Sequence, residues 1–106
     1  MIKKLVSAAL AAGLVFSASS ALAADSYRLR LAETWPSNFP IFGDTTKNFK
    51  KMAEEMSGGR LKITIDSKNK HKAALGIFDM VKAGQYDLGH SASYYWKGKD
   101  PNTLFF

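Results

Sequence analysis

The chain has 106 residues, a formal net charge of +6, two histidines and no cysteine. That length allows one small domain with a modest core, and the missing cysteines exclude disulfide staples and thiol chemistry. The one basic cluster, Lys68, Lys70, His71 and Lys72, has no interleaved aromatic residue, so it reads as a solvated turn in preference to an anion patch and not as a nucleic-acid platform.

The first 23 residues read as a secretory signal. Lys3 and Lys4 form a cationic start, Leu5 to Phe16 are uncharged and mostly apolar, and Ala21-Leu22-Ala23 supplies a small-x-small cleavage pattern. The apolar run fits the roughly 7–15 residues of a signal core and falls short of the roughly 20 of a membrane span. Cleavage after Ala23 predicts an exported chain of 83 residues starting at Ala24. Without Lys3 and Lys4, 13 basic face 9 acidic side chains, a net +4. At the other end, Asp100-Pro101-Asn102 reads as a turn and Thr103-Leu104-Phe105-Phe106 as the start of an apolar element. The expectation is that residues 24–106 are the first part of a larger folding unit.

Between these ends, Tyr27, Leu29 and Leu31 alternate with Arg28 and Arg30, the period of a strand with one buried face. Trp35-Pro36-Ser37-Asn38 breaks it. Phe42, Thr45 or Thr46, Phe49, Met52, Ala53 and Met56 then recur at helical spacing. Lys47, Lys50, Lys51, Glu54 and Glu55 occupy the opposite, solvated face, with Pro40 suited to the first turn. Ser57-Gly58-Gly59 ends the helix. Leu61, Ile63 and Ile65 mark a second strand, and Ser67 to Lys72 a polar turn. Ala74, Ile77, Phe78 and Val81 share a helical face closed by Gly84, and Tyr86 to Ser91 form a short third strand interrupted by Gly89.

The order β-α-β-α-β predicts an α/β fold with a parallel sheet. Ligands of such sheets bind beyond the carboxyl ends of the strands. The segments there, Thr34 to Pro40 and Ala92 to Trp96, are aromatic and uncharged, which points to a cleft lined by Trp35, Phe39, Tyr94, Tyr95 and Trp96.

No catalytic set is visible. Gly89-His90-Ser91-Ala92-Ser93 approaches the G-x-S-x-G turn of a hydrolase nucleophile, which leaves a truncated exported serine hydrolase with Ser91 as the alternative. Ser93 stands where glycine belongs, and Tyr94-Tyr95-Trp96 crowds the turn. His71 and His90 make no metal spacing, so neither a metal nor a cofactor is expected. His90 reads as a hydrogen-bonded residue near the sheet.

Four stretches, in order, resemble the amino-terminal part of a solute-binding protein of the tripartite ATP-independent periplasmic (TRAP) transporters. They are Leu31-Ala32-Glu33-Thr34-Trp35-Pro36, Met56-Ser57-Gly58-Gly59-Arg60-Leu61-Lys62-Ile63, Phe78-Asp79-Met80-Val81-Lys82-Ala83-Gly84, and Asp87-Leu88-Gly89-His90-Ser91-Ala92-Ser93-Tyr94-Tyr95-Trp96. The last looks most like the branch associated with 2-oxo acids and with mannitol or chloroaromatic substrates. The resemblance implies two α/β lobes closing on an organic anion in the periplasm, with 24–106 as the first part of lobe I. It also implies an arginine on the second lobe, which nothing here matches, and delivery to a membrane permease driven by a sodium gradient. Ser67 to Lys72 departs from the acidic, glycine-containing stretch frequent at this point in relatives.

Overall fold

The computed structural model describes residues 25–105, so the signal and its cleavage point lie outside the described residues. Three strands, β1 (Tyr27–Glu33), β2 (Leu61–Asp66) and β3 (Leu88–His90), form a parallel sheet in the order β2-β1-β3. Helix α1 (Phe42–Met56) connects β1 to β2, and α2 (Lys68–His71) and α3 (Ile77–Lys82) connect β2 to β3. Two 3₁₀ turns follow, Ser93–Trp96 and Pro101–Phe105. The expected α/β order is present.

The central strand departs from the expected one-sided burial. Its first half is open, with Tyr27 exposed and Leu29 half-buried, but Leu31, Ala32, Glu33 and the following Thr34 and Trp35 are all buried, because both faces of β1 are covered here. On one face Leu31 looks toward Thr46 and Phe49 of α1. On the other, Ala32 packs with Ile77 and Tyr86, flanked by Met80 and Val81. Gly89 does not interrupt β3 but permits this packing. A Cβ there would lie 2.7 Å from Ile77 Cγ2 and 3.1 Å from Val81 Cγ2, too close for any side chain.

Local chemistry sets the element ends. At the carboxyl end of α1, Gly59 N–H donates to Glu54 O at 2.8 Å and Gly58 N–H to Glu55 O at 3.0 Å. Gly58 adopts the left-handed conformation (φ 61°) that this closure requires and that glycine takes without a Cβ clash. Gly84 (φ 74°) closes α3 through the same pair of bonds, from Gln85 to Met80 O and from Gly84 to Val81 O.

Several boundaries differ from expectation. Pro40 precedes α1 instead of sitting in its first turn. Ser67 to Lys72 contains the one-turn helix α2, and Ala74 lies ahead of α3. Only residues 88–90 of the third segment are strand. The polar face of α1 is not wholly solvated either. Lys50 Nζ donates to Ile63 O at 2.6 Å, Glu54 Oε1 accepts Ile63 N–H at 2.9 Å, and Ser57 Oγ accepts Leu61 N–H at 3.0 Å. These bonds fix α1 against β2. The apolar stripe keeps its spacing, but Phe49, Met52 and Met56 remain exposed.

Asp66 anchors the end of β2. It is 1 % exposed and receives Tyr86 Oη–H at 2.9 Å, Lys70 Nζ at 2.8 Å and Arg30 at 3.4 Å. Burial acts to raise its pKa, but the hydrogen bonds from Lys70, Tyr86 and Arg30 outweigh it and hold the carboxyl below its ordinary 3.8. Ionised Asp66 therefore contributes stability that is complete above pH 3.8 and is lost as the pH falls through the depressed value. Asp66→Asn should lower the unfolding free energy near neutral pH by about 1.5–3 kcal/mol, read by urea denaturation. The variant should also lose less stability than the native chain on further acidification. An equal acid dependence in the two would refute this role.

Candidate functional site

The order β2-β1-β3 makes the chain leave β1 toward one side and return on the other. The topological switch point thus falls between the carboxyl ends of β1 and β3. Two bonds hold these ends together. Thr34 N–H donates to His90 O at 3.0 Å, and Thr34 Oγ–H donates to Ser91 Oγ at 2.6 Å. The third loop is tied in as well, with Lys68 N–H on Trp35 O at 3.1 Å. His71 Nδ1 accepts Ala73 N–H at 3.1 Å, which leaves Nε2–H to donate to Glu33 O at 2.9 Å. His71 is therefore a structural link between α2 and β1.

The five aromatic residues expected in the cleft fall into three ring groups. Trp35, 8 % exposed, stacks on Phe42 at 4.4 Å with 8° between the planes, and Phe39 extends the stack at 6.0 Å from Phe42. Tyr94 and Tyr95 pair with each other at 4.6 Å and are both exposed. A hydrogen bond with Tyr94 pushes the Tyr95 hydroxyl above its ordinary pKa. Trp96 packs on Phe78 at 5.4 Å, and its buried Nε1–H has no hydrogen-bond partner among the described residues. Trp35 and Phe39 thus form one plate on the β1 side, Tyr94 and Tyr95 stand on the β3 side, and Trp96 turns toward α3.

Phe42 belongs to this plate although the helical spacing alone read it only as part of the apolar stripe of the helix. It is held by an unusual turn. Ile41 has φ 69° and ψ −63°, and Phe42 N–H reaches back over it to Pro40 O at 2.8 Å, a three-residue γ-turn of the strained hand. A β-branched residue with positive φ is an outlier, and no residue pattern around Pro40 announces it. Thr45 Oγ–H closes the turn on Ile41 O at 2.7 Å.

Beneath the plate is a polar group. Glu33 is 1 % exposed, and burial pushes its carboxyl above the ordinary 4.5 against the opposing hydrogen bond with Thr46 and the charge of Lys47. Thr46 Oγ also meets His90 Nδ1 at 2.6 Å. The His90 ring lies 4.6 Å from Trp35, and burial lowers its pKa below 6.5. The sequence carried a signal for Glu33, because it continues the parity of Leu29 and Leu31 and so places a carboxyl in the buried register. Ser91, the candidate nucleophile, bonds to Thr34, while His90 Nδ1 bonds to Thr46. Among the described residues no group of three or more His, Cys, Asp or Glu is gathered for a metal ion, and no helix is long and apolar enough to cross a membrane.

Comparison with known proteins decides the family. Residues 31–106 match the bacterial extracellular solute-binding proteins, family 7. The chain belongs to this family. It is 36 % identical over 78 residues to a monocarboxylate 2-oxoacid-binding periplasmic protein of Nostoc, an alignment covering 74 % of this chain and 21 % of that protein. A crystal structure of a TRAP periplasmic solute-binding protein from Pseudoalteromonas atlantica, with bound sodium and pyruvate, is 73 % identical with a TM-score of 0.74. One from Colwellia psychrerythraea, with bound calcium and pyruvate, is 72 % identical with the same TM-score. Both structural matches cover 76 % of this chain and 25 % of the other. The chain thus spans between a fifth and a quarter of these relatives. They are solute-binding proteins, and nothing in them supports the serine-hydrolase alternative.

The strained turn yields a test of how the plate is built. Ile41 is 75 % exposed, so replacing it costs little burial, whereas its backbone geometry stores roughly 1–3 kcal/mol. Ile41→Gly should leave stability unchanged or raise it by up to about 1 kcal/mol in urea denaturation. A loss above about 1 kcal/mol would mean the turn carries no releasable strain.

Proposed function

We propose that residues 24–106 form the first part of lobe I of a two-lobed periplasmic binding protein. It captures a small carboxylate, most simply a 2-oxo monocarboxylate of the pyruvate class, and delivers it to the membrane permease of a TRAP transporter coupled to a sodium gradient. Residues 1–23 serve as the export signal, removed near Ala23. The observation that carries this reading is the 73 % identity to a TRAP protein solved with pyruvate bound. The chemistry of the switch point supports it. Trp35 and Phe39 offer an apolar plate, while the exposed Tyr94 and Tyr95 offer hydroxyl donors to a carboxylate or keto oxygen. In this reading Trp96 contributes to the same wall from its α3 side.

The function is capture without bond-making. Ligand enters an open form, and the closed form is stabilised by contacts that only closure completes. No arginine lies in the segments that follow β1, β2 and β3, so the charge that pairs with the carboxylate is assigned to the second lobe. One wall of a two-walled site should bind weakly. Titration of this chain with pyruvate, followed by tryptophan fluorescence, should therefore give no saturation below millimolar concentration.

Grafted in place of the matching quarter of the Pseudoalteromonas atlantica protein, the chain should restore micromolar binding. There Tyr94→Phe or Tyr95→Phe should weaken it by about 0.5–3 kcal/mol in calorimetry. Micromolar binding by the chain alone would overturn the two-lobe mechanism. Unchanged affinity in both tyrosine variants would remove these residues from the site.

A further inference from the structure

The strand register sets Glu33 of β1 directly beside His90 of β3, and α1 lays Thr46 over both. The Thr46 hydroxyl has one proton and three neighbours: Phe42 O at 3.0 Å, His90 Nδ1 at 2.6 Å and the Glu33 carboxyl. The Phe42 carbonyl can only accept. The bond to Glu33 lowers that acid's pKa, so Thr46 gives its proton to the carboxyl, and its oxygen is left to accept from His90 Nδ1–H. Glu33 Oε2 is buried without a hydrogen-bond partner among the described residues, and burial raises the pKa of the carboxyl.

His90 in turn backs the plate. Its ring is 4.6 Å from Trp35 and 6.4 Å from Phe42, and its own carbonyl receives Thr34 N–H. Thr46, Glu33 and the two rings thus surround it from α1, from β1 and from the segment after β1. Lys47 on α1 and His71 on α2 are the other charged or titratable groups acting on Glu33.

We propose that His90 is the positioning residue of the aromatic plate: held as a neutral ring with its proton on Nδ1 by Thr46 and Glu33, it sets Trp35 and Phe42 in place, and taking a second proton releases them. As a statement about the ligand wall this rests on the carboxylate-capture reading, but the brace exists without ligand. Burial disfavours the imidazolium, so charging His90 works against the packing that seats it under the plate. The sign follows from the depressed pKa. The brace is complete above pH 6.5 and is lost as the pH falls through the lower folded value.

The test uses the whole chain with Trp96→Phe, so that emission comes from Trp35 alone. Because the readout contains no ligand, it stands or falls apart from pyruvate binding. Acidification should change Trp35 emission with a midpoint below pH 6.5, and His90→Gln should abolish the transition. Thr46→Val should move the midpoint by half a pH unit or more, while Thr46→Ser, which keeps the hydroxyl, should restore it. Nitrogen NMR of the unsubstituted chain at pH 7.5 should find the His90 proton on Nδ1, a reading that survives if a variant fails to fold. A proton on Nε2 alone, or an acid transition that persists in His90→Gln, would overturn the proposal.

Discussion

Everything at the candidate site depends on the central position of β1. With a neighbour on each side and a helix on each face, the end of this strand has no access to water, so each polar group there must find its partner inside the protein. The backbone of Glu33 and Thr34 is met by His71 and His90, and the Thr34 hydroxyl is met by Ser91. These obligations draw the segments after all three strands together at one end of the sheet. The strand order sets the switch point, these bonds hold its segments together, and the aromatic residues ride on the scaffold so fixed.

The same logic distinguishes the two buried acids. Asp66 has three donors and stays ionised despite burial. Glu33 has one hydroxyl and an orphaned oxygen, and burial prevails. The contrast lies in local donors and not in depth, since both are 1 % exposed. A fold that gives Arg30, Lys70 and Tyr86 to one carboxylate and leaves the other nearly unaided moves their pKa values in opposite directions.

Much of the fold was legible in the residues because it depends on short-range spacing. The alternation of Leu61, Ile63 and Ile65, the stripe from Phe42 to Met56 and the glycines at 58 and 84 each act within one element. The site was legible only in part. Trp35 and Phe39 were named because they follow a strand, whereas Phe42 was read only as part of the apolar stripe of the helix, since spacing cannot tell a buried ring from one stacked at a loop. Thr46 and His90 meet only through the register that sets Glu33 beside His90, a long-range fact without local trace. Ile41 was invisible for another reason: its left-handed backbone runs against the preference of its own side chain.

The bonds from α1 to β2 have a consequence for how the chain meets other chains. In a parallel ladder alternate residues turn their amides away from the neighbouring strand, and in β2 those of Leu61 and Ile63 point to the open edge. Ser57 and Glu54 accept both amides, and Lys50 takes the Ile63 carbonyl. An incoming strand would find these two amides and this carbonyl already taken, so this border is a poorer template for intermolecular pairing and for amyloid-like growth.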